Sequence, residues 1–135
     1  MTIVVDASVA IKWVLEEEHS AVARALHSER LTAPALWLAE CGNVLWKRTR
    51  RGELAPDEAR DKLDALSSAP VVTTPLDPDL SAALTLANAL GHPVYDCLYL
   101  AAAIREDAVV VTADARFVRA VEGTAYAGQV RRLGA

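Results

Sequence analysis

Two aspartates enclose the most hydrophobic part of this chain. Asp96 stands at the start of an apolar helical stretch, and Asp114 follows the short apolar run Ala108–Thr112. An ionised carboxylate in apolar surroundings is unstable unless a positive charge or hydrogen bonds compensate it. Any fold that this chain adopts must therefore bring a compensating group to both aspartates.

Short apolar runs alternate with helical patterns along the sequence. Strands are predicted at Ile3–Val5, Leu31–Ala33, Val71–Thr73 and Ala108–Thr112, with an edge strand at Val130–Leu133. Runs that are apolar throughout are typical of parallel strands covered on both faces. The pattern predicts an α/β fold, with a central parallel sheet of four to five short strands flanked by helices on both faces. A length of 135 residues suits one domain, residues 1–135.

Helices are predicted between the strands. Their predicted ranges are Val9–Glu17, Ser20–Ser28, Leu36–Arg51, Pro56–Leu66, Asp77–Leu90, Asp96–Glu106 and Asp114–Val121. Gly52 and Gly91 are expected to end two of them, because glycine readily adopts the left-handed conformation after a helix. The helices that begin at Leu36 and Pro56 are joined by only a few residues and are predicted to form a helical hairpin.

The composition excludes several classes of protein. The net charge of −4 does not favour nucleic-acid binding through bulk charge, so a polyanion would need a local basic patch or a metal ion. The amino-terminal sequence MTIVVDAS lacks the basic region of a signal peptide, and no apolar run is long enough to span a membrane. Two cysteines are too few for a secreted disulfide framework. We expect a cytoplasmic protein with no membrane association.

Four acidic residues are predicted to meet at one edge of the sheet. Asp6 ends the first strand, Asp114 follows the fourth, and Glu40 lies on the helix after the second. Asp96 is predicted in the loop that enters a helix. Ligands of open parallel sheets bind at the carboxyl ends of the strands. Carboxylates gathered there repel one another unless a cation lies among them, and Mg²⁺ or Mn²⁺ suits such oxygen ligands.

Each acid taken alone has a simpler interpretation. Asp6, Asp96 and Asp114 all stand where an aspartate commonly caps a helix, and Glu40 fits a solvated helix position. Capping does not require the caps to share one edge of a sheet. The joint placement of the four therefore favours an acidic metal site over four unrelated residues.

Four segments of the chain resemble a known family. They are Val4–Ser8, Glu40–Leu45, Tyr95–Ala103 and Thr112–Phe117. In their order and spacing these segments are similar to the PIN-domain family, and most closely to its VapC-type toxins from bacterial toxin–antitoxin pairs. Each segment alone is weakly specific, whereas the four together cover essentially the whole chain.

The resemblance implies a Mg²⁺-dependent endoribonuclease, with Mn²⁺ as a substitute, which hydrolyses RNA by means of a metal-activated water. It implies catalytic roles for Asp6, Glu40, Asp96 and Asp114, metal binding by Asp6, Asp96 and Asp114, and supporting roles for Ser8, Asn43 and Thr112. It also implies a cognate, VapB-like antitoxin as partner and a homodimer. The apolar faces of the hairpin Leu36–Leu66 are the candidate antitoxin surface.

Basic residues near the acids are candidates for substrate binding. Arg116 stands where many PIN domains have a further acid, which puts a second metal site in doubt and points to contact with RNA phosphate. Lys47 and Arg48 belong to a basic cluster that also includes Arg50 and Arg51. Cations at the end of a helix are favoured by the helix dipole alone, so this cluster has a structural interpretation beside the functional one.

The remaining metal-ligand types give weaker signals. Cys41 and Cys97 each follow one of the acids, but neighbouring helical residues point in different directions, so both are predicted to be small buried side chains. His19, His27 and His92 show no ligand spacing and are predicted to be structural or exposed to solvent.

Two other functions compete with the nuclease. A phospho-acceptor receiver domain needs paired acids after the first strand and a lysine after a late one, and this chain has neither, which excludes that class. A non-catalytic PIN-like module that acts through protein or RNA contacts has no need of four acids and stays the alternative.

Overall fold

A computed structural model describes residues 1–135, which form one five-stranded sheet with helices packed around it. The strands are β1 (Thr2–Val5), β2 (Arg30–Pro34), β3 (Val71–Thr74), β4 (Val109–Thr112) and β5 (Val130–Arg132). Their order across the sheet is β3-β2-β1-β4-β5, and all neighbouring strands are parallel. The predicted α/β fold, the parallel sheet and the edge strand are confirmed.

The central strand β1 explains why the sheet is covered on both faces. Successive side chains of a strand point to opposite faces, and Ile3, Val4 and Val5 are all buried. Helices must therefore pack on either side of β1. Because β1 lies between β2 and β4, segments from the middle and the end of the chain meet at the end of the first strand.

Seven α-helices surround the sheet. They are α1 (Ala7–Ala10), α2 (Ser20–Ala25), α3 (Trp37–Arg50), α4 (Pro56–Ser67), α5 (Leu80–Leu90), α6 (Val94–Glu106) and α7 (Ala115–Val121). Helices α3 and α4 pack against each other as the predicted hairpin. Gly52 and Gly91 follow α3 and α5 with φ angles of 78° and 61°, as expected of helix-ending glycines. None of the helices is long and apolar enough to cross a membrane.

The first helix is shorter than the prediction Val9–Glu17. Helix α1 ends at Ala10, and a 3-10 turn over Ile11–Trp13 follows it. Continuing to Glu17 would place consecutive glutamates at the negative end of the helix dipole, which is unfavourable. The chain instead turns back, and the indole of Trp13 donates a hydrogen bond to the carbonyl of Ala23.

Helix α6 begins earlier than predicted. Pro93 occupies the cap position and Val94 starts the helix, so Asp96 lies in the first turn rather than in the loop before it. Proline has no N–H to leave unsatisfied, which makes it a good residue at a helix start. Asp96 is therefore not an N-cap. Seven successive residues of this helix, Cys97 to Ala103, are buried.

Candidate active site

The carboxyl edge of the sheet carries a polar cluster beside the junction of β1 and β4. Strand order reverses at β1, and such a reversal opens a crevice outside the strand ends. Asp6 directly follows β1, and Asp114 comes two residues after β4. Glu40 on α3 and Asp96 in the first turn of α6 reach the same crevice.

These four carboxylates line one cavity of about 520 Å³. The other side chains on its wall are Ala7, Ser8, Leu36, Ala39, Asn43, Val44, Lys47 and Tyr95. The structure thus brings together all four acids and two of the three supporting residues predicted from sequence, Ser8 and Asn43. The third, Thr112, is buried behind Asp6. Their catalytic and metal-binding roles stay predictions.

Two hydroxyl groups fix the carboxylate of Asp6. Thr112 Oγ1 donates to Asp6 Oδ2 at 2.6 Å, and Ser8 Oγ donates to the same oxygen at 3.0 Å. The backbone N–H groups of Ala113 and Asp114 in turn donate to these hydroxyls at 2.9 and 3.0 Å. Asp6 holds the N-cap position of α1 without capping it through its side chain. Capping therefore does not account for Asp6.

Glu40 is held by a tyrosine that the sequence interpretation did not single out. The hydroxyl of Tyr99 donates to Glu40 Oε1 at 2.6 Å, and Tyr99 is fully buried. Tyr99 lies three residues after Asp96 on α6, so a helical turn places both on one face. That spacing was the available signal for Tyr99.

Asp96 contacts His92, a residue predicted to be structural or exposed to solvent, whose structural role here is a hydrogen-bonded contact with this acid. The Nε2 of His92 lies 2.6 Å from Asp96 Oδ2, and the side chain of His92 is only 12% exposed. The imidazole stacks on Phe117, with 5.4 Å between ring centroids and 14° between planes. His92 precedes Asp96 by four residues, and this spacing was a usable signal. The spacing of the three histidines relative to one another gave no indication of this contact.

Asp114 has a structural role in addition to its place on the cavity wall. Its Oδ1 accepts a hydrogen bond from the N–H of Arg116 at 2.9 Å, so Asp114 does cap α7. The guanidinium of Arg116 lies 3.5 Å from the same oxygen and is 80% exposed. Arg116 therefore stands at the rim of the acidic site, free to meet a solvent-borne anion.

Burial raises the pKa values of the Asp6, Glu40 and Asp96 carboxyls. Burial raises the pKa of Asp6 from an ordinary 3.8 to about 6, against the lowering effect of the Thr112 and Ser8 hydroxyls, and the charge of Asp96 adds to the increase. The pKa values of Glu40 and Asp96 are also raised, mainly by burial and further by neighbouring acids. This mutual repulsion is the electrostatic condition that a cation relieves.

The donor set fits a small, hard cation that keeps part of its water shell. In each acid one carboxylate oxygen accepts a hydrogen bond from the chain, namely Asp6 Oδ2, Glu40 Oε1, Asp96 Oδ2 and Asp114 Oδ1. The second oxygen of each remains for a ligand. No three acidic, imidazole or thiol groups converge tightly enough to enclose a metal ion. Mg²⁺ does not need such a cage, because one or two carboxylates with water and substrate phosphate usually hold it.

The predicted substrate-binding cations lie in different surroundings. Lys47 is exposed and lines the cavity. Arg48 is absent from the cavity wall, and its guanidinium pairs with Glu17 and with Glu53, the latter at 3.3 Å. A contact of Arg48 with substrate stays a prediction, and these ion pairs compete with it.

The two cysteines are not candidate metal ligands. Cys41 and Cys97 are fully buried, as predicted. Burial raises the pKa of the Cys41 thiol to about 12 and that of Cys97 to about 11, so both stay protonated at neutral pH. Only a thiolate binds a metal ion strongly.

Comparison with known proteins identifies relatives along nearly the whole chain. A family model for the PIN domain matches residues 3–123. The chain is 35% identical over 126 residues to a protein of Pyrobaculum aerophilum named Ribonuclease VapC3, which covers 84% of this chain and 90% of the relative.

Solved structures share the fold. The crystal structure of PAE2754 from Pyrobaculum aerophilum superposes with a TM-score of 0.73 at 26% identity, covering 92% of this chain and 82% of that one. The DNA-bound VapBC structure from Salmonella typhimurium gives a TM-score of 0.68 at 19% identity, covering 98% of both chains. At that identity the second likeness shows the fold alone.

Proposed function

The chain belongs to the PIN domain family, and from this premise we propose that it is a Mg²⁺-dependent endoribonuclease that acts as the toxin of a toxin–antitoxin pair. The observation that carries the proposal is the cavity whose wall contains four carboxylates, each with one oxygen left for a ligand. Ribonucleases of this family are in general metal-dependent, and a relative named as a ribonuclease is 35% identical.

Asp6, Asp96 and Asp114 are the proposed cation ligands. Bound there, Mg²⁺ (or Mn²⁺ in its place) lowers the pKa of water and neutralises the charge that develops on the scissile phosphate. The side chains around these acids set their orientation. Ser8 and Thr112 hold one oxygen of Asp6, so its second oxygen faces the cavity in a fixed position.

The reaction needs a proton acceptor beside the attacking water. We assign this role to Asp96 or Asp114, whose carboxylates lie on the cavity wall. The oxygen of the water forms a bond to phosphorus while the bond from phosphorus to the 3′ oxygen breaks. The products are a 5′-phosphate and a 3′-hydroxyl. Glu40, fixed by Tyr99, completes the acidic wall.

Cations and amides at the rim are the proposed substrate contacts. Arg116 and Lys47 are exposed beside the acids and fit RNA phosphates, and Asn43 offers an amide on the same wall. Arg48 is a more distant candidate because it is engaged by Glu17 and Glu53.

The proposed partner is a cognate, VapB-like antitoxin. Its candidate docking surface lies on the hairpin of α3 and α4, where a groove of about 250 Å³ is lined by Leu45, Trp46, Pro56, Ala59 and Leu63 among others. Trp46 is 53% exposed there, an unusual position for so large an apolar side chain. We further propose that residues 1–135 act as one domain in a homodimer in the cytoplasm.

Cleavage of RNA by partner-free protein tests the enzyme. Total RNA is incubated with the purified chain and Mg²⁺, Mn²⁺ or EDTA, and the ends of the products are mapped. We expect cleavage with either cation, none with EDTA, and a loss of at least ~100-fold in Asp6→Asn and Asp96→Asn. Asp61→Asn, an exposed acid on α4 outside the cavity, is the matched control and should cut like the parent. Equal cleavage by all variants would refute the site.

The alternative is a non-catalytic PIN-like module. Inducing the gene alone in a bacterium separates the two functions. Growth arrest that Asp96→Asn relieves supports the enzyme, whereas arrest that persists in this variant favours a binding module.

Co-expression with the antitoxin tests the docking surface. We expect Trp46→Asp to abolish co-purification while RNA cleavage continues. Leu84→Asp, an equally exposed apolar residue on α5, should leave the complex intact.

A further inference from the structure

Tyr95 is the most exposed aromatic side chain of the molecule. It is 63% exposed in the first turn of α6, immediately before Asp96, and it lines the acidic cavity. The other large aromatic residues of the site region, Tyr99 and Phe117, are fully buried. A solvated ring beside four carboxylates contributes little to folding, since its apolar surface remains in water.

No neighbour within the chain accounts for the position of this ring. The aromatic pairs of the molecule involve Trp13, His27, Trp37, His92 and Phe117. The second exposed aromatic residue, Trp46, is covered by the guanidinium of Arg50 at 5.3 Å from the ring centroid. The face of Tyr95 has no corresponding partner.

One face of α3, together with its cap residue Leu36, forms another part of the cavity wall. Its residues follow helical spacing, with Leu36, Ala39 and Val44 as apolar members, Glu40 near the start and Lys47 at the far end. The stretch from Leu36 to Lys47 rises about 16 Å along the helix axis. The cavity therefore combines an anionic, cation-binding corner with apolar surface, an aromatic ring and a positive end.

This combination matches the parts of one unpaired nucleotide. A nucleobase stacks on an aromatic ring, and a phosphate pairs with a lysine and with a cation held by carboxylates. In a duplex the faces of the bases are covered by their neighbours, so no base could reach the ring of Tyr95. A volume near 520 Å³ is also that of a small-ligand pocket.

We propose that Tyr95 is a stacking platform for an unpaired base next to the scissile phosphate. This inference rests on the proposed function and assigns a substrate-positioning residue to the same site. The stacked base fixes the register of the strand, so that the following phosphate lies at the carboxylates while Lys47 contacts the backbone farther along.

Binding in EDTA tests the platform without any cleavage. Fluorescence anisotropy measures the Kd of the full chain for a labelled ten-nucleotide single-stranded RNA, for the same sugar–phosphate chain without bases, and for the matching duplex. We expect the single strand to bind tightest. Tyr95→Ala should weaken that binding about 5- to 150-fold, Tyr95→Phe by less than about twofold, and neither should affect the base-free chain.

The control is Leu84→Ala, which removes an exposed apolar side chain outside the cavity and should leave RNA binding unchanged. The inference is overturned if Tyr95→Ala binds single-stranded RNA like the parent, if it loses affinity for the base-free chain equally, or if the parent prefers the duplex. It is also overturned if Tyr95→Ala weakens only the antitoxin complex.

Cleavage by the same preparations separates this inference from the proposed function. If the parent cuts RNA with Mg²⁺ and Tyr95→Ala cuts with unchanged kcat/KM, the platform is wrong and the nuclease stands. If the parent does not cut, the proposed function fails whatever the binding data show. A higher KM in Tyr95→Ala at similar kcat supports the platform.

Discussion

The carboxylate of Asp6 is buried with only two hydroxyl groups to solvate it. In the unfolded chain it ionises near its ordinary pKa of 3.8, whereas in the folded chain its pKa is raised to about 6. Between these values the folded state binds more protons than the unfolded state. The free energy of unfolding contributed by Asp6 therefore falls as pH rises through this window, by about 3 kcal/mol in total.

Asp6→Asn should remove this pH dependence. Without divalent cations we expect the variant to be more stable than the parent at pH 7, by up to about 3 kcal/mol, with the two converging near pH 4. Urea unfolding in EDTA at several pH values measures the difference. Mg²⁺ should stabilise the parent at pH 7 and have little effect on the variant. A constant difference across the range would contradict the proposed cost of ionising Asp6.

His92 is expected to act on the cation through Asp96. Removing its hydrogen bond frees the carboxylate to rotate, so His92→Leu should lower the affinity for Mn²⁺ about tenfold, measured by calorimetry. His92→Gln keeps an N–H donor of similar reach and should restore most of that affinity. Equal loss in both variants would show that the stacking of His92 on Phe117 matters rather than the hydrogen bond.

The sequence predicts which acids meet at the edge of the sheet, but it does not predict the side chains that hydrogen-bond to two of them. Asp6 and Asp114 follow from the rule that strand ends share one edge of a parallel sheet. Tyr99 lies on α6 and His92 lies just before it. The hydrophobic pattern of this helix already accounts for a buried aromatic ring, so the sequence gives no reason to expect a hydrogen bond from either residue to an acid. Their contacts depend on side-chain direction at positions three and four residues from Asp96.

At the scale of elements, the sequence predicts that a helix forms more reliably than it predicts which face of that helix is buried. The spacing of the apolar residues in the sequence puts Leu80, Leu84, Ala87 and Leu90 on one face of α5. In the structure Ala83 and Leu86 are the buried residues, and Leu80 and Leu84 are exposed. Small residues permit close packing against α6, so the alanine-containing face turns inward although the leucines are more hydrophobic.

An ion pair joins the start of α5 to the end of α6. The guanidinium of Arg105 makes two parallel contacts with the buried carboxylate of Asp79, at 2.8 and 2.9 Å. Arg105→Met should leave Asp79 charged and unpaired, and we expect it to lower the free energy of unfolding by about 1–3 kcal/mol. The double variant Asp79→Leu with Arg105→Met should recover most of this loss in urea unfolding. No recovery would mean that the arginine stem contributes through packing.

At the scale of the whole molecule, a net charge of −4 opposes the approach of RNA. Binding then depends on the few cations that face the cavity. Lys47→Met should weaken binding of single-stranded RNA and reduce the slope of log K against log salt by about 0.7.

Arg48→Met, one position further along α3, is the matched comparison. Because Arg48 is engaged by Glu17 and Glu53, its replacement should change that slope less than Lys47→Met does and should also lower stability. A larger change of slope in Arg48→Met than in Lys47→Met would show that the strand takes a path over the end of α3. Anisotropy titrations of both variants at four salt concentrations measure the two slopes.

The hydrogen bond from Thr112 to Asp6 joins residues 106 positions apart. The central strand and its aspartate are therefore synthesised well before β4, Thr112 and Asp114. A nascent chain that has not yet reached β4 lacks both the hydroxyl group that holds Asp6 and the carboxylate of Asp114. The proposed active site is thus absent until β4 has been made and has paired with β1.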